Sequence, residues 1–194
     1  DFTDKQAVDL YKNSWAAIMK SARSGSSWSG SERNRTFLNT GGGQFSDASY
    51  ISGFGFDDDG RALAITDWDG DGDLDLWAHN RTAPRLRLLR NSSPKANRSV
   101  AFRLKGGKKS NRDAIGALVR LDAPQVPRLE QVRPQVGYLS TSERTVRFGL
   151  GDRGKAVEVL VTWSGGSEAE RFGPLEVDRI HELVQGMGQA GDLP

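Results

Sequence analysis

The sequence predicts a mainly β protein in three parts: an N-terminal amphipathic helix, one blade-like sheet, and a small antiparallel β-sandwich or barrel-like unit. Three observations predict this fold class. The 194 residues include 23 glycines, which favour turns between strands. Short apolar runs recur along the chain with turn residues between them. Apolar residues recur at helical spacing near the start of the chain.

Composition excludes several kinds of chemistry. The chain has no cysteine, which rules out disulfides, thiolate metal sites and cysteine catalysis. Its two histidines, His79 and His181, are too few for a zinc cluster. No apolar run reaches about 18 residues, so no segment is expected to span a bilayer. Because the first residue is Asp1, we expect a processed or excised chain, which is compatible with export. The expected location is secreted, periplasmic or at the cell surface.

The first segment, residues 1–30, is predicted to be a helix followed by a Ser/Gly linker. Thr3 and Gln6 could form a capping box, and Gly25 begins the linker that ends the helix. We expect the apolar stripe to pack against a sheet rather than to bind a ligand. Its members lie at helical spacing within residues 3–23: Ala7, Val8, Tyr11, Trp15, Ile18, Met19 and Ala22.

Residues 31–95 are predicted to form one propeller-like blade. Two strands flank the glycine turn at 40–43, and the run 86–91 repeats the pattern of 35–39 after about 52 residues. That period is typical of a propeller blade. One blade leaves bare sheet edges, because a closed ring typically takes about four to eight blades. We therefore expect the chain to associate with a partner or with its own copies, as a homo-oligomer or filament.

Within this segment an aspartate-rich loop predicts a calcium site. Carboxylates at alternate positions can converge on one cation, while Gly72 permits the sharp turn. The predicted ligands are Asp67, Asp69, Asp71, the backbone carbonyl of Asp73, and Asp75. Position twelve is Ala78 rather than the glutamate of an EF-hand, so we expect strands at both ends of the loop. The alternatives are a solvated acidic turn without an ion and, at 57–59, a second cation site.

Residues 96–185 are predicted to form the second β unit, and residues 186–194 a flexible tail. The expected strands are 99–105, 114–121, 129–132, 146–148, 157–163 and one or two between 172 and 184. Three prolines confine residues 122–134 largely to loop or edge-strand geometry.

These motifs resemble two known families. The aspartate loop and the preceding Phe37–Asp47 resemble an FG-GAP/VCBS repeat, the blade unit of integrin-type β-propellers. Downstream motifs resemble the ASPIC/UnbV domain at the end of cartilage-acidic-protein-like chains: Ser110–Ala117, Gly137–Ser140 and Phe148–Gly151. The resemblance implies a secreted or surface calcium-binding protein and carries no catalytic residue. The sequence departs from the family after Trp163, where members usually have a proline, and this changes the turn there.

The residues favour a non-catalytic role. No nucleophile elbow, Walker loop, dinucleotide fingerprint or zinc-protease helix is present. We expect a calcium-binding extracellular or surface β module that mediates protein or glycan interaction or assembly. The alternative, which only the UnbV resemblance suggests, is an accessory enzyme of secondary or surface metabolism. In it Arg112 and Asp113 could act as an acid–base pair rather than a turn ion pair. Tyr138 could stack on a sugar or fill the seam between sheets.

Charge is unevenly distributed although the net charge is only +2. Residues 57–75 hold eight aspartates and one arginine, whereas residues 76–112 hold eleven lysines or arginines and no acidic residue. The basic stretch could bind phosphate or an anionic glycan, or could be a solvated face that offsets the acidic loop. Nucleic-acid binding is disfavoured because aromatic residues are not interleaved with the basic ones.

Overall fold

The computed structural model describes residues 4–26, 32–94, 97–121, 128–135, 137–152, 154, 156–165 and 169–191. This part of the chain contains one helix and thirteen strands. The helix α1 is Lys5–Arg23. The strands are β1 Phe37–Gly41, β2 Gln44–Asp47, β3 Gly60–Thr66, β4 Asp75–Asn80, β5 Leu86–Leu89, β6 Arg98–Lys105, β7 Leu118–Leu121, β8 Arg128–Gln131, β9 Val146–Gly151, β10 Ala156–Thr162, β11 Ala169–Glu176, β12 Ile180–Val184 and β13 Gln189–Gly191. The mainly β prediction is confirmed.

The helix forms as predicted, but its apolar stripe is not buried. Asp4 caps the first turn by accepting a hydrogen bond from the backbone N–H of Gln6, and Thr3 of the predicted capping box lies outside the described residues. No residue of α1 is buried, so the packing against a sheet expected from the sequence is not observed. No helix in the described ranges is long and apolar enough to cross a membrane.

The chain divides into two compact units. Unit 1 comprises residues 1–61 and 79–86, and unit 2 comprises residues 62–78 and 87–194. The predicted blade segment, residues 31–95, contains strands of two sheets: the hairpin β1–β2 and the three-stranded sheet β3–β4–β5. These two sheets do not confirm the prediction of a single propeller blade.

Unit 1 buries polar side chains. Among its described residues the buried ones are Ser49, Asp59 and Asn80. Asn80 donates from Nδ2 to Asp58 Oδ2 at 3.1 Å and to the Pro84 carbonyl at 2.8 Å. The apolar residues of β1 and β2, in contrast, are exposed. Hydrogen bonds and ion pairs, rather than apolar burial, therefore hold this unit's described residues together.

Unit 2 contains the apolar core. A five-stranded sheet in the order β13–β11–β10–β7–β8 and a three-stranded sheet in the order β12–β6–β9 contribute side chains to one cluster. Trp163, Phe102 and Val161 in this cluster are almost fully buried. Full burial of each such side chain stabilises the fold by about 1.5–3 kcal/mol. Two sheets that share a core match the predicted sandwich, and neither sheet closes into a barrel.

Two features of unit 2 differ from the sequence prediction. The strand β12 pairs with β6 in parallel, whereas an antiparallel unit is predicted. Part of the predicted flexible tail forms β13, which pairs with β11 through Ala169–Gly191 and two further residue pairs. Glu170 fixes the approach to β13, because its carboxylate accepts hydrogen bonds from the backbone N–H groups of Gly186 and Gly188.

The loop before β7 is held by close backbone packing. A Cβ on Gly106 would lie 1.9 Å from the Asn111 carbonyl oxygen, so a larger residue would displace the loop. The side chain of Asn111 hydrogen-bonds both backbone groups of Ile115 and donates to Ser164 Oγ. These contacts make residues 111–117 a turn, which is why the strand predicted at 114–121 begins only at Leu118.

Candidate functional site

The aspartate loop lies between β3 and β4 and is shaped by its own side chains. Asp69 Oδ1 accepts a hydrogen bond from the backbone N–H of Asp71, and Asp71 Oδ1 accepts one from Asp73. The N–H of Gly72 donates to Asp67 Oδ2 at 3.2 Å. Gly72 has a φ of 95°, a conformation that favours glycine. The short spacing of aspartate and glycine therefore produces a tight loop whose carboxylates turn inward.

Three of the five predicted ligand residues come together. The carboxylates of Asp67, Asp69 and Asp71 each offer one oxygen, and these oxygens lie within 4.8 Å of one another. In the described part of the chain, no other group of three or more acidic or histidine side chains converges in this way. Asp57, Asp58 and Asp59, considered for a second cation, do not form such a group. The clustered oxygens are the ligand type that a hard cation such as calcium prefers.

Asp67 is the buried member of the cluster. Its side chain is 4% exposed, and Oδ2 accepts hydrogen bonds from Gly72 and from Arg147. Its other oxygen, Oδ1, is buried and has no hydrogen-bond partner. A buried carboxylate oxygen without a partner loses its hydrogen bonds to water and forms none in the protein, which lowers the stability of the folded state. The position therefore suits a positively charged or hydrogen-donating ligand.

Arg147 on β9 connects the loop to the sandwich of unit 2. Its Nη2 lies 3.1 Å from Asp67 Oδ2, and its Nε donates to Glu143 Oε1 at 2.8 Å. Both partners and the arginine itself are largely shielded from solvent, so screening of these ion pairs is weak. No sequence pattern predicts a contribution of Arg147 to the site, because 80 positions separate it from Asp67.

The segment before β9 also holds the strand that leads into the loop. The N–H of Glu143 donates to the Ile65 carbonyl at 3.0 Å, and Ser142 Oγ accepts from the Ile65 N–H at 3.1 Å. Thr66 Oγ1 donates to Glu143 Oε2 at 3.2 Å. Residues 142–147 therefore position the entry to the loop by backbone and side-chain contacts.

Asp75 serves the loop in a different way from the first three aspartates. It is 1% exposed; Oδ2 accepts from the Trp68 N–H at 2.9 Å and Oδ1 from the Asn91 N–H at 2.7 Å. The bond from Asn91, with further backbone donors, holds the pKa of Asp75 below its ordinary value although burial would raise it. Both oxygens are thus occupied by backbone donors, and Asp75 ties the loop to the segment after β5.

A cleft of about 620 Å³ lies beside the loop within unit 2. Its lining includes Asp67, Asp71 and Asp73 of the loop, the start of β6 and residues 178–180. The last two of these segments are joined to each other, since the Asp178 N–H donates to the Ser99 carbonyl at 2.6 Å. Both arginines and aspartates line the cleft, so it can contact ligands of mixed polarity.

The remaining predicted site residues lie elsewhere. Asp113 forms an ion pair with Arg144 at 2.7 Å rather than acting with its neighbour Arg112. Tyr138 is 81% exposed, so the prediction that it fills the seam between sheets is wrong. Stacking on a sugar stays a prediction. His181, to which the sequence assigns no function, donates from Nε2 to the Glu176 carbonyl at 2.7 Å.

Fold and site together define a mainly β chain in which an acidic, oxygen-rich loop is hydrogen-bonded to a small β sandwich. Residues 107–190 match the family model described as ASPIC and UnbV, so the chain contains an ASPIC/UnbV domain over this range. This confirms the second of the two resemblances seen in the sequence, and the FG-GAP/VCBS resemblance stays a prediction. A search of curated proteins found no match.

Proposed function

We propose that this chain is a non-catalytic, calcium-binding β module of an extracellular or cell-surface protein. One Ca²⁺ held by the loop stabilises the connection between β3 and β4, and the surrounding surface binds a protein or glycan. The observation that carries the proposal is the convergence of three carboxylates beside the buried, unpartnered Oδ1 of Asp67.

The electrostatics of the loop support a divalent cation. Arg147 pairs with Asp67, and Arg90 lies 3.6 Å from Asp69. These two positive charges are fewer than the five negative charges of the aspartates within residues 67–75. Carboxylates this close repel one another strongly unless a cation compensates. A bound ion would relieve that repulsion in the folded state and would therefore stabilise it.

The residues fit calcium better than other common metals. Every donor in the cluster is an oxygen, which disfavours zinc, copper and other ions that prefer nitrogen or sulfur. The flexible, multi-oxygen arrangement of a loop suits calcium better than magnesium, which demands near-ideal octahedral geometry. Asp67, Asp69 and Asp71 would hold the ion, with the backbone carbonyl of Asp73 as a fourth predicted ligand.

Calorimetric titration and thermal melting test the proposal. We expect one calcium ion per chain, and excess chelator should lower the melting temperature by several degrees, since about 2.7 kcal/mol is gained at a hundredfold excess over Kd. The Asp71→Asn variant should lose most of this affinity. Asp57→Asn is the matched control, because Asp57 is an exposed aspartate outside the cluster and should leave calcium binding unchanged.

Two results would contradict the proposal. One is an unchanged melting curve in excess chelator, on protein shown to be free of metal. The other is an equal loss of calcium affinity in Asp71→Asn and Asp57→Asn, which would point to a diffuse charge effect rather than a site.

A further inference from the structure

The cleft beside the loop contains charges of both signs. Its lining includes four aspartates and three arginines, which gives a formal charge of −1. One divalent ion in the loop would change this formal charge to +1. The sign of the formal charge of the cleft would thus depend on the bound cation. An anionic ligand would be repelled before the cation binds and attracted afterwards.

The loop also supplies fewer protein ligands than calcium normally uses. Calcium typically takes about six to eight oxygens. The cluster offers one oxygen from each of Asp67, Asp69 and Asp71, and the carbonyl of Asp73 is the fourth predicted ligand. Asp75 is occupied by the N–H groups of Trp68 and Asn91. Oxygens from water or from a ligand must therefore complete the coordination, and Asp67 and Asp71 line the cleft.

The lining of the cleft also presents arginines to such a ligand. The side chain of Arg179 is 70% exposed and forms an ion pair with Glu176 at 3.1 Å. Arg98 is half-exposed, donates to the Gly154 carbonyl and lies 3.6 Å from Asp178. A planar guanidinium can donate two parallel hydrogen bonds to a carboxylate. An acidic ligand that fills the cleft would thus lie beside both the ion and these guanidinium groups, because the loop and the arginines line the same cleft.

We propose that this cleft binds the carboxylate of a uronic-acid-containing glycan, and that it does so only in the calcium-loaded state. The inference rests on the proposed calcium site and names the ligand class for its neighbouring surface. The carboxylate completes the calcium coordination and contacts Arg179 and Arg98. The sugar hydroxyls donate to Asp73 and Asp178, which line the same cleft.

The mixed lining favours an acidic sugar over an acidic peptide. A uronate carries one carboxylate and several hydroxyl donors, which matches a cleft that holds arginines together with carboxylates. Acidic side chains of equal number carry no hydroxyl donors for Asp73 and Asp178, which line the same cleft. The volume of about 620 Å³ is of the order of small-molecule sites and admits a short oligosaccharide.

Titration calorimetry with trigalacturonic acid, at fixed free calcium and again in chelator, tests the inference on the full chain. We expect binding in calcium and none in chelator. Arg179→Gln should weaken binding of the trimer by about tenfold, since it removes a charged contact. The affinity for calcium alone should stay within about twofold, because Arg179 lies outside the cluster. Arg171→Gln, which removes an arginine from another exposed pair, is the matched control and should change neither affinity.

The outcomes separate this inference from the calcium site. Calcium binding without binding of the trimer overturns the glycan site and leaves the calcium proposal standing. Equal losses in Arg179→Gln and Arg171→Gln, or equal affinity for the fully methyl-esterified trimer, also overturn it. Stronger binding of triglutamate than of trigalacturonic acid would also overturn the glycan site and would indicate that the ligand of the cleft is an acidic peptide. Absence of calcium binding overturns both proposals.

Discussion

Units 1 and 2 use similar strand patterns but bury different side chains. In unit 2, apolar residues from two sheets share one core, and Phe102 on β6 is completely buried. In unit 1, Phe45 on β2 is 62% exposed, and the buried side chains among the described residues are polar. An alternating strand buries one face only where a second layer lies against that face. The same alternating pattern therefore stabilises unit 2 by apolar burial and contributes little apolar burial to unit 1.

The largest effect should come from the same substitution made once in each unit. Phe102→Ala in unit 2 should lower the free energy of unfolding by about 3–5 kcal/mol, because it empties a filled core position. Phe45→Ala in unit 1 should cost about 0.5 kcal/mol or less, since Phe45 is exposed. Urea denaturation measures both. Similar losses of unfolding free energy for the two variants would contradict the difference between the units. They would indicate that Phe45 is buried in solution.

A polar substitution should show how unit 1 is stabilised. Asn80→Ala removes two donors, to the Asp58 carboxylate and the Pro84 carbonyl, from a fully buried position. The expected loss is about 1–3 kcal/mol, because both hydrogen bonds of the buried amide are lost and one of them goes to a carboxylate. Asn39→Ala on the exposed β1 is the control and should cost much less. Thermal melting followed by circular dichroism compares the two variants, and equal melting temperatures would contradict polar stabilisation of unit 1.

The exposed hairpin of unit 1 is predicted to associate with other copies of the chain. Light scattering over a concentration series should give a mass that rises above 21.2 kDa. Phe45→Ser should raise the dissociation constant about tenfold, equivalent to about 1.4 kcal/mol, because it removes exposed apolar surface from β2. Tyr138→Ser in unit 2 is the control for loss of an exposed aromatic. A constant monomer mass at every concentration would show that assembly does not occur.

The smallest effect concerns a carboxylate in unit 1. The Ser49 hydroxyl, followed by the Ser49 N–H and then Arg35, lowers the pKa of Asp47 from its ordinary value. A lowered folded pKa means that the contribution to stability is complete above the unfolded pKa of about 4 and is lost as pH falls towards the folded value. Asp47→Asn should therefore be less stable than wild type at pH 7, and the difference should shrink by pH 3.

Hydrogen exchange in β1 and β2, corrected for the intrinsic rate at each pH, measures this difference. Ser93→Ala changes a residue outside unit 1 and serves as the control. A gap between wild type and Asp47→Asn that stays constant from pH 7 to pH 3 would contradict the assigned pKa shift.

Local patterns predicted the elements of this chain well where a short segment determines its own geometry. Alternation of apolar residues predicted most strands of the sandwich, and the alternating aspartates predicted that Asp67, Asp69 and Asp71 converge. The motif around Asn111 predicted the ASPIC/UnbV domain that the family match confirms. These features depend on side-chain period and on glycine at positive φ, both of which are set within a few residues.

The sequence by itself determined the mainly β class, the helix, and a loop whose carboxylates turn inward. The tertiary structure decided the rest: Arg147 reaches Asp67 across 80 positions, backbone donors take both oxygens of Asp75, and β12 pairs with β6 in parallel. It also left Phe45 exposed while it buried Phe102. The physical reason is that burial, ion pairing and strand order depend on which distant segments become neighbours, and no local period encodes that choice.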